Sequence, residues 1–264
     1  MESELNATVL ARELVSETVF LLRVKPDESD PPRFLPGQFV QAGVPIQTLA
    51  KDGSGVMRLR LQKRSYSLAS APGDPKGYEL CLALVDQGRL TPALHKLEAG
   101  ARLYLDTRPL GRFTLEGLPP ERDLVLVATG TGVAPYVAMR RAYAGKSRWR
   151  RMVIVHGVRQ VADLVYRKEL EEAARKDPAF VYLPIVSREK DPARWSGLAG
   201  RVHQMLEAKR MKELAQLEFT PKSASVLLCG NPAMIDEART LLESRGFALD
   251  TPERIGGLRF ERYW

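Results

Sequence analysis

The sequence of 264 residues predicts two domains, an antiparallel β-barrel over residues 1–117 and a doubly wound α/β domain with a parallel sheet over residues 118–264. In the first part, short strand-like runs are separated by turn-forming residues, which is typical of a closed barrel. In the second part, unbroken apolar runs alternate with amphipathic stretches, which is typical of a parallel sheet covered by helices. The segment Leu118-Pro119-Pro120-Glu121 separates the two patterns, because proline cannot continue a strand ladder.

The predicted barrel strands are short apolar or alternating runs. They are Ala7–Leu14, Val19–Val24, Phe39–Val44, Met57–Gln62, Tyr66–Leu68, Glu79–Val85 and Arg102–Leu105. One helix is predicted among them over Pro92–Leu97, with Thr91 as its N-cap and proline in its first turn.

The predicted α/β domain has four apolar strands, each followed by a helix. The strands are Leu124–Ala128, Met152–His156, Phe180–Ser187 and Val226–Cys229. The first helix ends near Ala144, and the others are Asp163–Arg175, Leu198–Lys209 and Ala233–Ser244.

Composition restricts the class of protein. Apolar residues make up 44% of the chain, which excludes global disorder, and the formal charge of +8 would attract nucleic acid, acidic protein or a membrane surface. The two cysteines, Cys81 and Cys229, are too few for an iron–sulfur cluster, and no histidine spacing indicates a metal site. Sparse cysteines, no signal-peptide pattern and no apolar run of about 20 residues predict a cytoplasmic protein without membrane insertion.

The first motif is Arg64-Ser65-Tyr66-Ser67 on a predicted barrel strand. Residues 64 and 66 share one face of the strand, so a guanidinium and a flat aromatic ring lie side by side. The guanidinium suits a pyrophosphate, the ring suits an isoalloxazine, and the Ser67 hydroxyl can hydrogen-bond a flavin atom. An ordinary strand with an exposed arginine and a packed tyrosine is the alternative.

The second motif is Gly130-Thr131-Gly132-Val133-Ala134-Pro135, between a predicted strand and a predicted helix. A phosphate-binding turn belongs at this position, and glycine lets backbone approach an anion closely. Pro135 stands where the usual third glycine would be, so the site is not an ordinary dinucleotide fingerprint. A plain strand-to-helix turn is the alternative.

With a late Cys229-Gly230-Asn231-Pro232, these motifs resemble the signature of ferredoxin–NADP(+) reductases, in the same order and over nearly the whole chain. The chain is most similar to the bacterial group that reduces ferredoxin or flavodoxin. Other segments that resemble this group are His156–Tyr166, Val186–Glu189, Gly200-Arg201 and Tyr263-Trp264.

This resemblance implies FAD as bound cofactor and NADP(H) as co-substrate. The residues implied to bind FAD are Arg64, Ser65, Tyr66, Ser67, Ala83, Leu84, Val85, Gly88, Arg89, Leu90, Thr91, Thr131 and Trp264. Those implied to bind NADP(H) are Gly130, Thr131, Gly132, Arg159, Arg188, Arg201 and Asn231. Those implied to act in catalysis are Ser67, Cys229, Glu261 and Trp264, with Glu253 as a rival of Glu261 for a proton relay.

The three arginines are expected to read the 2′-phosphate of NADP, which a planar guanidinium matches, although solvated surface arginines are the alternative. Cys229 is expected to act by packing rather than as a nucleophile, and Trp264 to stack on the flavin.

The function implied is electron transfer between NADPH and a ferredoxin or flavodoxin by a monomeric enzyme. An acidic carrier would suit the net charge of +8. A reductase component of an oxygenase system or a free-flavin reductase on the same scaffold is the alternative, and a nucleic-acid-binding barrel is a distant one.

Overall fold

The computed structural model describes residues 4–27, 33–49, 56–146, 149–251 and 253–263. The chain forms two compact units, Met1–Thr114 and Leu115–Trp264. The predicted boundary lies slightly later in the chain, after residue 117. Each unit has its own apolar core, so each positions its candidate site residues on a separate scaffold.

The first unit is an antiparallel sheet that closes toward a barrel. Its elements are β1 (Ala7–Leu14), β2 (Val19–Pro26), β3 (Phe39–Leu49), β4 (Met57–Ser67), β5 (Tyr78–Ala83), the helix α1 (Leu90–His95) and β6 (Arg102–Leu105). The strand order is β4-β3-β6-β1-β2-β5. Leu68, directly after β4, bridges Leu80 of β5 and so links the two ends of that order. The predicted antiparallel barrel is confirmed.

Two local predictions in this unit are wrong. Met57–Gln62 and Tyr66–Leu68 are not separate strands, because β4 pairs with β3 without a break from Met57 to Ser67. Thr91 is not the N-cap of a helix over Pro92–Leu97, because α1 begins at Leu90 after the N-cap Arg89.

The second unit is a parallel α/β sheet. Its strands are β7 (Asp123–Thr129), β8 (Met152–Val158), β9 (Phe180–Val186), β10 (Leu198–Ala199), β11 (Ala224–Gly230), β12 (Ala248–Leu249) and β13 (Gly257–Arg262). Its helices are α2 (Ala134–Tyr143), α3 (Arg167–Lys176), α4 (Ala208–Ala215) and α5 (Pro232–Ser244). The strand order is β10-β9-β8-β7-β11-β13-β12, so the winding direction reverses between β7 and β11. The predicted doubly wound sheet is confirmed, and ligands of such sheets bind beyond the carboxyl ends at the reversal.

The predicted helix Leu198–Lys209 is wrong. Leu198 and Ala199 pair with β9 as a short strand, a 3₁₀ turn follows at Val202–Leu206, and α4 starts only at Ala208. Gly200 lies between them with φ +111°, a conformation that interrupts a helix. In the part of the chain that the structure describes, no helix is both long and apolar enough to cross a membrane.

Candidate functional site

The Arg64–Ser67 motif of the first unit lies at the carboxyl end of β4. Tyr66 is opposite Val40 of β3 and packs against the barrel core, whereas the Arg64 side chain is exposed and its Nη1 donates to the Lys63 carbonyl at 2.9 Å. Ser67 is buried, with 4% of its surface exposed. Residues 64 and 66 thus lie on one face of the strand, but an exposed arginine and a packed tyrosine also fit the ordinary barrel strand, so the role in FAD binding stays a prediction.

The Tyr66 hydroxyl is buried and lacks a hydrogen-bond partner within the described residues. Burial raises the pKa of Tyr66 to about 12, although the nearby Arg64 guanidinium opposes that shift. A neutral phenol is a donor, and leaving a buried donor unmatched costs about 1–3 kcal/mol. Protein atoms cover this hydroxyl, so a ligand over the motif could accept from it only after the groups around the ring move.

The segment after β5 carries the other candidate residues of the first unit. Three of its backbone amides already have partners: Leu84 N–H donates to the Thr18 carbonyl at 2.7 Å, Val85 N–H to the Thr91 hydroxyl at 3.0 Å, and Gly88 N–H to the Val85 carbonyl at 2.8 Å. These bonds shape a tight turn before α1. Ala83 ends β5, Leu90 is buried, and the side chains of Val85 and Arg89 are exposed.

The glycine turn of the second unit follows β7, at the sheet reversal. Gly130 has φ +54°, and a Cβ added there would meet no atom within 4 Å. A Cβ on Gly132 would instead lie 2.6 Å from the Cys229 carbonyl oxygen and 2.9 Å from the Gly230 Cα. Thr131, between them, is buried. The two glycines therefore differ. At Gly130 there is room for a side chain but φ is positive, whereas at Gly132 close packing on β11 excludes a side chain.

His156, at the end of β8, holds this turn from within the core. It is fully buried, its Nε2 lies 3.0 Å from the Gly130 carbonyl oxygen, and its Nδ1 lies 3.1 Å from the Tyr182 hydroxyl. Because a carbonyl only accepts, we assign the proton to Nε2, so Tyr182 donates to Nδ1. Sequence reasoning missed this role, and the available signal was a histidine ending an apolar strand.

Burial lowers the pKa of His156 to about 4, although its bond to Gly130 opposes the shift. As pH falls below about 6.5, residue 156 is protonated in the unfolded chain while it stays neutral in the folded chain. The folded state therefore loses stability relative to the unfolded state as pH falls toward 4. We expect the unfolding free energy of the wild type to fall by roughly 2 kcal/mol from this group between pH 7 and pH 5.

Urea unfolding followed by tryptophan fluorescence measures this, because Trp149 and Trp195 pack within the second unit. His156→Gln keeps an amide donor near Gly130 and removes the titration, so it should lack this component. A wild type and variant whose free energies fall in parallel would contradict the assignment.

Asn231 links the two strands at the reversal. Its Oδ1 accepts from Ala233 N–H at 2.9 Å and caps α5, while its own N–H donates to the Thr129 hydroxyl at 2.9 Å. Gly230, before it, has φ +127°, and a Cβ there would lie 2.4 Å from Thr129 Oγ1. Thr129 was not singled out in the sequence, because an isolated threonine at a strand end carries no pattern.

The three candidate arginines follow three adjacent parallel strands. Arg159 follows β8 and Arg188 follows β9, and the Arg188 N–H donates to the Arg159 carbonyl at 2.9 Å. Both side chains are exposed, and no described carboxylate forms an ion pair with either. Arg201 follows β10, and its Nη1 lies 3.4 Å from Glu237 Oε1. The sheet thus brings all three to one edge.

Cys229 and Glu261 are neighbours at the carboxyl ends of β11 and β13, where they are in register. Burial raises the pKa of the Cys229 thiol well above its ordinary value, the Glu261 carboxylate adds to the shift, and a hydrogen bond with Tyr263 opposes it. The thiol is therefore neutral and unsuited to act as a nucleophile. Glu261 is half-buried, and Trp264 lies outside the described residues.

The second unit belongs to the class of doubly wound parallel sheets, whose ligands bind beyond the carboxyl ends of the strands at the reversal. Residues 126–240 match the oxidoreductase NAD-binding domain family.

Curated relatives give the particular family. The ferredoxin–NADP reductase of Azotobacter vinelandii is 30% identical over 85% of this chain and 83% of its own length. The flavodoxin/ferredoxin–NADP reductase of Escherichia coli K12 is 30% identical over 88% of both. A solved ferredoxin NADP+ reductase from Neisseria gonorrhoeae, with bound FAD and NADP, has a TM-score of 0.81 at 25% identity and 97% coverage of both chains. The chain belongs to the ferredoxin–NADP reductase family.

Proposed function

We propose that this protein is an FAD-dependent oxidoreductase that transfers electrons between NADPH and a one-electron carrier, ferredoxin or flavodoxin. The observation that carries the proposal is that one chain of this family holds two sets of polar groups suited to phosphate-bearing ligands. One set is the Arg64–Ser67 motif with its exposed guanidinium, and the other combines the Gly130 turn with the exposed Arg159 and Arg188. FAD, when bound, accepts two electrons from NADPH and passes them on singly, which is the conversion that a one-electron carrier requires.

Residues of the first unit would hold FAD. Arg64 would neutralise phosphate charge, Tyr66 would cover the flavin and donate through its hydroxyl, and Ser67 would hydrogen-bond the ring. The turn before α1 would follow the rest of the cofactor. This part comprises Ser65, Ala83, Leu84, Val85, Gly88, Arg89, Leu90 and Thr91.

Residues of the second unit would hold NADP(H). The Gly130 turn offers backbone without a side chain in the way, and Arg159, Arg188 and Arg201 would read the 2′-phosphate as planar donors. Thr131 and Asn231 would contact the nucleotide next to the reversal. Gly132 would contribute indirectly, because its missing side chain already serves the packing on Cys229.

Three residues near the end of the chain would have catalytic roles. The neutral Cys229 would shape the nicotinamide pocket by packing, and Glu261 would relay a proton, since it is only half-buried at a strand end. Trp264 would stack on the flavin. We further propose that the carrier is acidic, in keeping with the charge of +8, and that the enzyme is a cytoplasmic monomer.

The test of this function is direct. The purified protein is expected to be yellow, to release FAD on denaturation, and to reduce ferricyanide at least tenfold faster with NADPH than with NADH. It should also reduce ferredoxin or flavodoxin, followed through cytochrome c. A colourless protein that takes up no FAD would refute the proposal, and NADPH-driven reduction of free flavin but of neither carrier would favour the flavin-reductase alternative.

Tyr66→Phe should have opposite effects with and without FAD. In flavin-free protein, removal of an unmatched buried hydroxyl should raise the unfolding free energy by about 1 kcal/mol. With FAD, the lost donor should raise the Kd of the cofactor about tenfold. Thermal unfolding of both forms and fluorescence titration with FAD measure the two effects.

Tyr78→Phe is the matched control. Its hydroxyl is also buried without a partner among the described residues, but it lies in the core of the same unit. It should stabilise the flavin-free protein and leave FAD affinity unchanged. Equal FAD affinities for Tyr66→Phe and the wild type would remove Tyr66 from the proposed site.

A further inference from the structure

The long hairpin of the first unit extends beyond the sheet. Strand β3 pairs with β6 only at Ala42 and Gly43, whereas its pairing with β4 continues to Leu49 opposite Met57. At these outer positions β4 has no described partner other than β3. We name the described outer part, residues 47–49 and 56–61, the β3–β4 ribbon.

One face of the ribbon is apolar and open to solvent. Leu49 is 62% exposed, Met57 52% and Leu59 48%. Because side chains alternate along a strand and paired residues point to the same side, these three residues share a face. Exposed side chains of this size in one stripe are typical of an interaction surface.

The opposite face of the ribbon is basic. Arg58 and Arg60 alternate with the apolar residues and are exposed. The hairpin of β3 and β4, residues 39–67, contains five cationic residues and one carboxylate, Asp52, so it supplies +4 of the net charge of +8. The five are Lys51, Arg58, Arg60, Lys63 and Arg64. The charge of the protein is therefore concentrated in the hairpin rather than spread over the chain.

We propose that the β3–β4 ribbon is the docking surface for an acidic redox protein, an inference that rests on the proposed function and assigns its carrier a place. Methionine and arginine are enriched at protein interfaces, and a cluster of positive charge steers an acidic partner into contact. A nucleic acid would contact the arginines through its phosphates but would leave Leu49, Met57 and Leu59 uncovered. A bilayer would require an apolar end to insert, whereas the connecting sequence Ala50–Gly55 is polar.

The ribbon includes part of β4, the strand that carries the Arg64–Ser67 motif proposed to bind FAD, but does not overlap that motif. Leu61 and Tyr66 are on the same strand, and five residues of strand span roughly 17 Å. A carrier held by the ribbon would stay beside the motif that holds the electron donor, without covering it.

Binding measured by calorimetry tests this surface, with an acidic [2Fe–2S] ferredoxin and a flavodoxin as probes and the FAD-loaded full chain as the protein. Arg58→Glu/Arg60→Glu should raise the Kd of the ferredoxin at least tenfold, and Met57→Ser/Leu59→Ser about fivefold. Lys209→Glu/Lys212→Glu, on the exposed side of α4 in the other unit, changes the net charge equally and should shift Kd less than twofold. NADPH–ferricyanide activity and FAD content should stay within twofold in every variant, which shows that they fold.

If both charge-reversal variants raised the ferredoxin Kd equally, net charge rather than the ribbon would explain binding, and the proposal would be overturned. Unchanged Kd values for both probes in the ribbon variants would overturn it as well. Co-sedimentation with phosphatidylglycerol–phosphatidylcholine vesicles should be absent. Sedimentation that Arg58→Glu/Arg60→Glu abolishes, with an unchanged ferredoxin Kd, would assign the ribbon to a membrane instead. A wild type that binds a probe but does not reduce it with NADPH would refute the proposed function and leave the docking result readable.

Discussion

Replacement of both Arg159 and Arg188 by alanine is expected to lower kcat/KM for NADPH by about 100-fold. Each charge-assisted hydrogen bond contributes roughly 1.5–3 kcal/mol, so two fully additive losses would lower kcat/KM by more than 100-fold. Because both groups would contact one phosphate, we expect less than full additivity. Both side chains are exposed, and no carboxylate among the described residues pairs with either, so their removal should not destabilise the fold. Steady-state kinetics with NADPH and NADH measure the effect.

The comparison with NADH makes this test specific. NADH lacks the 2′-phosphate, so its kcat/KM should change less than threefold in the same variant. Arg201→Ala should cost less than either of the other single changes, because Glu237 already competes for that guanidinium at 3.4 Å. The control is Arg175→Ala, at an exposed position on α3, which should change kcat/KM for neither NADPH nor NADH. Equal losses with NADPH and NADH would show that the arginines do not read the 2′-phosphate.

The two glycines of the turn should separate stability from binding. Gly132→Ala places a methyl group 2.6 Å from the Cys229 carbonyl oxygen, so the turn or β11 must move. Overpacking of this kind costs about 1–3 kcal/mol, or about 3–10 °C in Tm for a unit of this size. Calorimetric melting of the full chain measures it.

Gly130→Ala should behave in the opposite way. Its methyl group would enter open space, so the loss of stability is limited to about 1 kcal/mol for a non-glycine residue at φ +54°. The same methyl group would stand where we propose that the nucleotide phosphate approaches, and KM for NADPH should rise about tenfold. A Gly130→Ala variant with normal KM, or a Gly132→Ala variant with normal Tm, would disprove the division of roles.

The sequence allowed prediction of elements whose burial is uniform. Strand β7 is buried along nearly its whole length and reads as one apolar run, so its position and the turn after it were predictable. Strand β13 was missed, because Arg259, Glu261 and Arg262 interrupt its apolar pattern. The failed helix at Leu198–Lys209 has a related cause: its composition favours a helix, but pairing with β9 and the positive φ of Gly200 decide otherwise.

The candidate site was predictable where a motif carries the chemistry and not where tertiary packing does. The arginine positions came from the resemblance to the family, but their adjacency depends on the strand order β10-β9-β8, which spacing along the chain does not encode. The contacts of His156 with Gly130 and Tyr182 join three separate segments, so no local sequence pattern predicts them. The difference between Gly130, which has room for a side chain, and Gly132, which does not, likewise depends on packing against β11 and is not visible in the local sequence.

The separation between the glycine turn and the arginine-bearing strand ends has a practical consequence for engineering coenzyme preference. The arginines lie beyond the ends of β8, β9 and β10, whereas the turn packs on β7, β11 and the buried His156 within β8. With the role proposed for the arginines, an NADH-using variant can be sought by randomising their three positions while the turn is left untouched. Libraries that also diversify Gly132 would lose stability, because any side chain there meets β11.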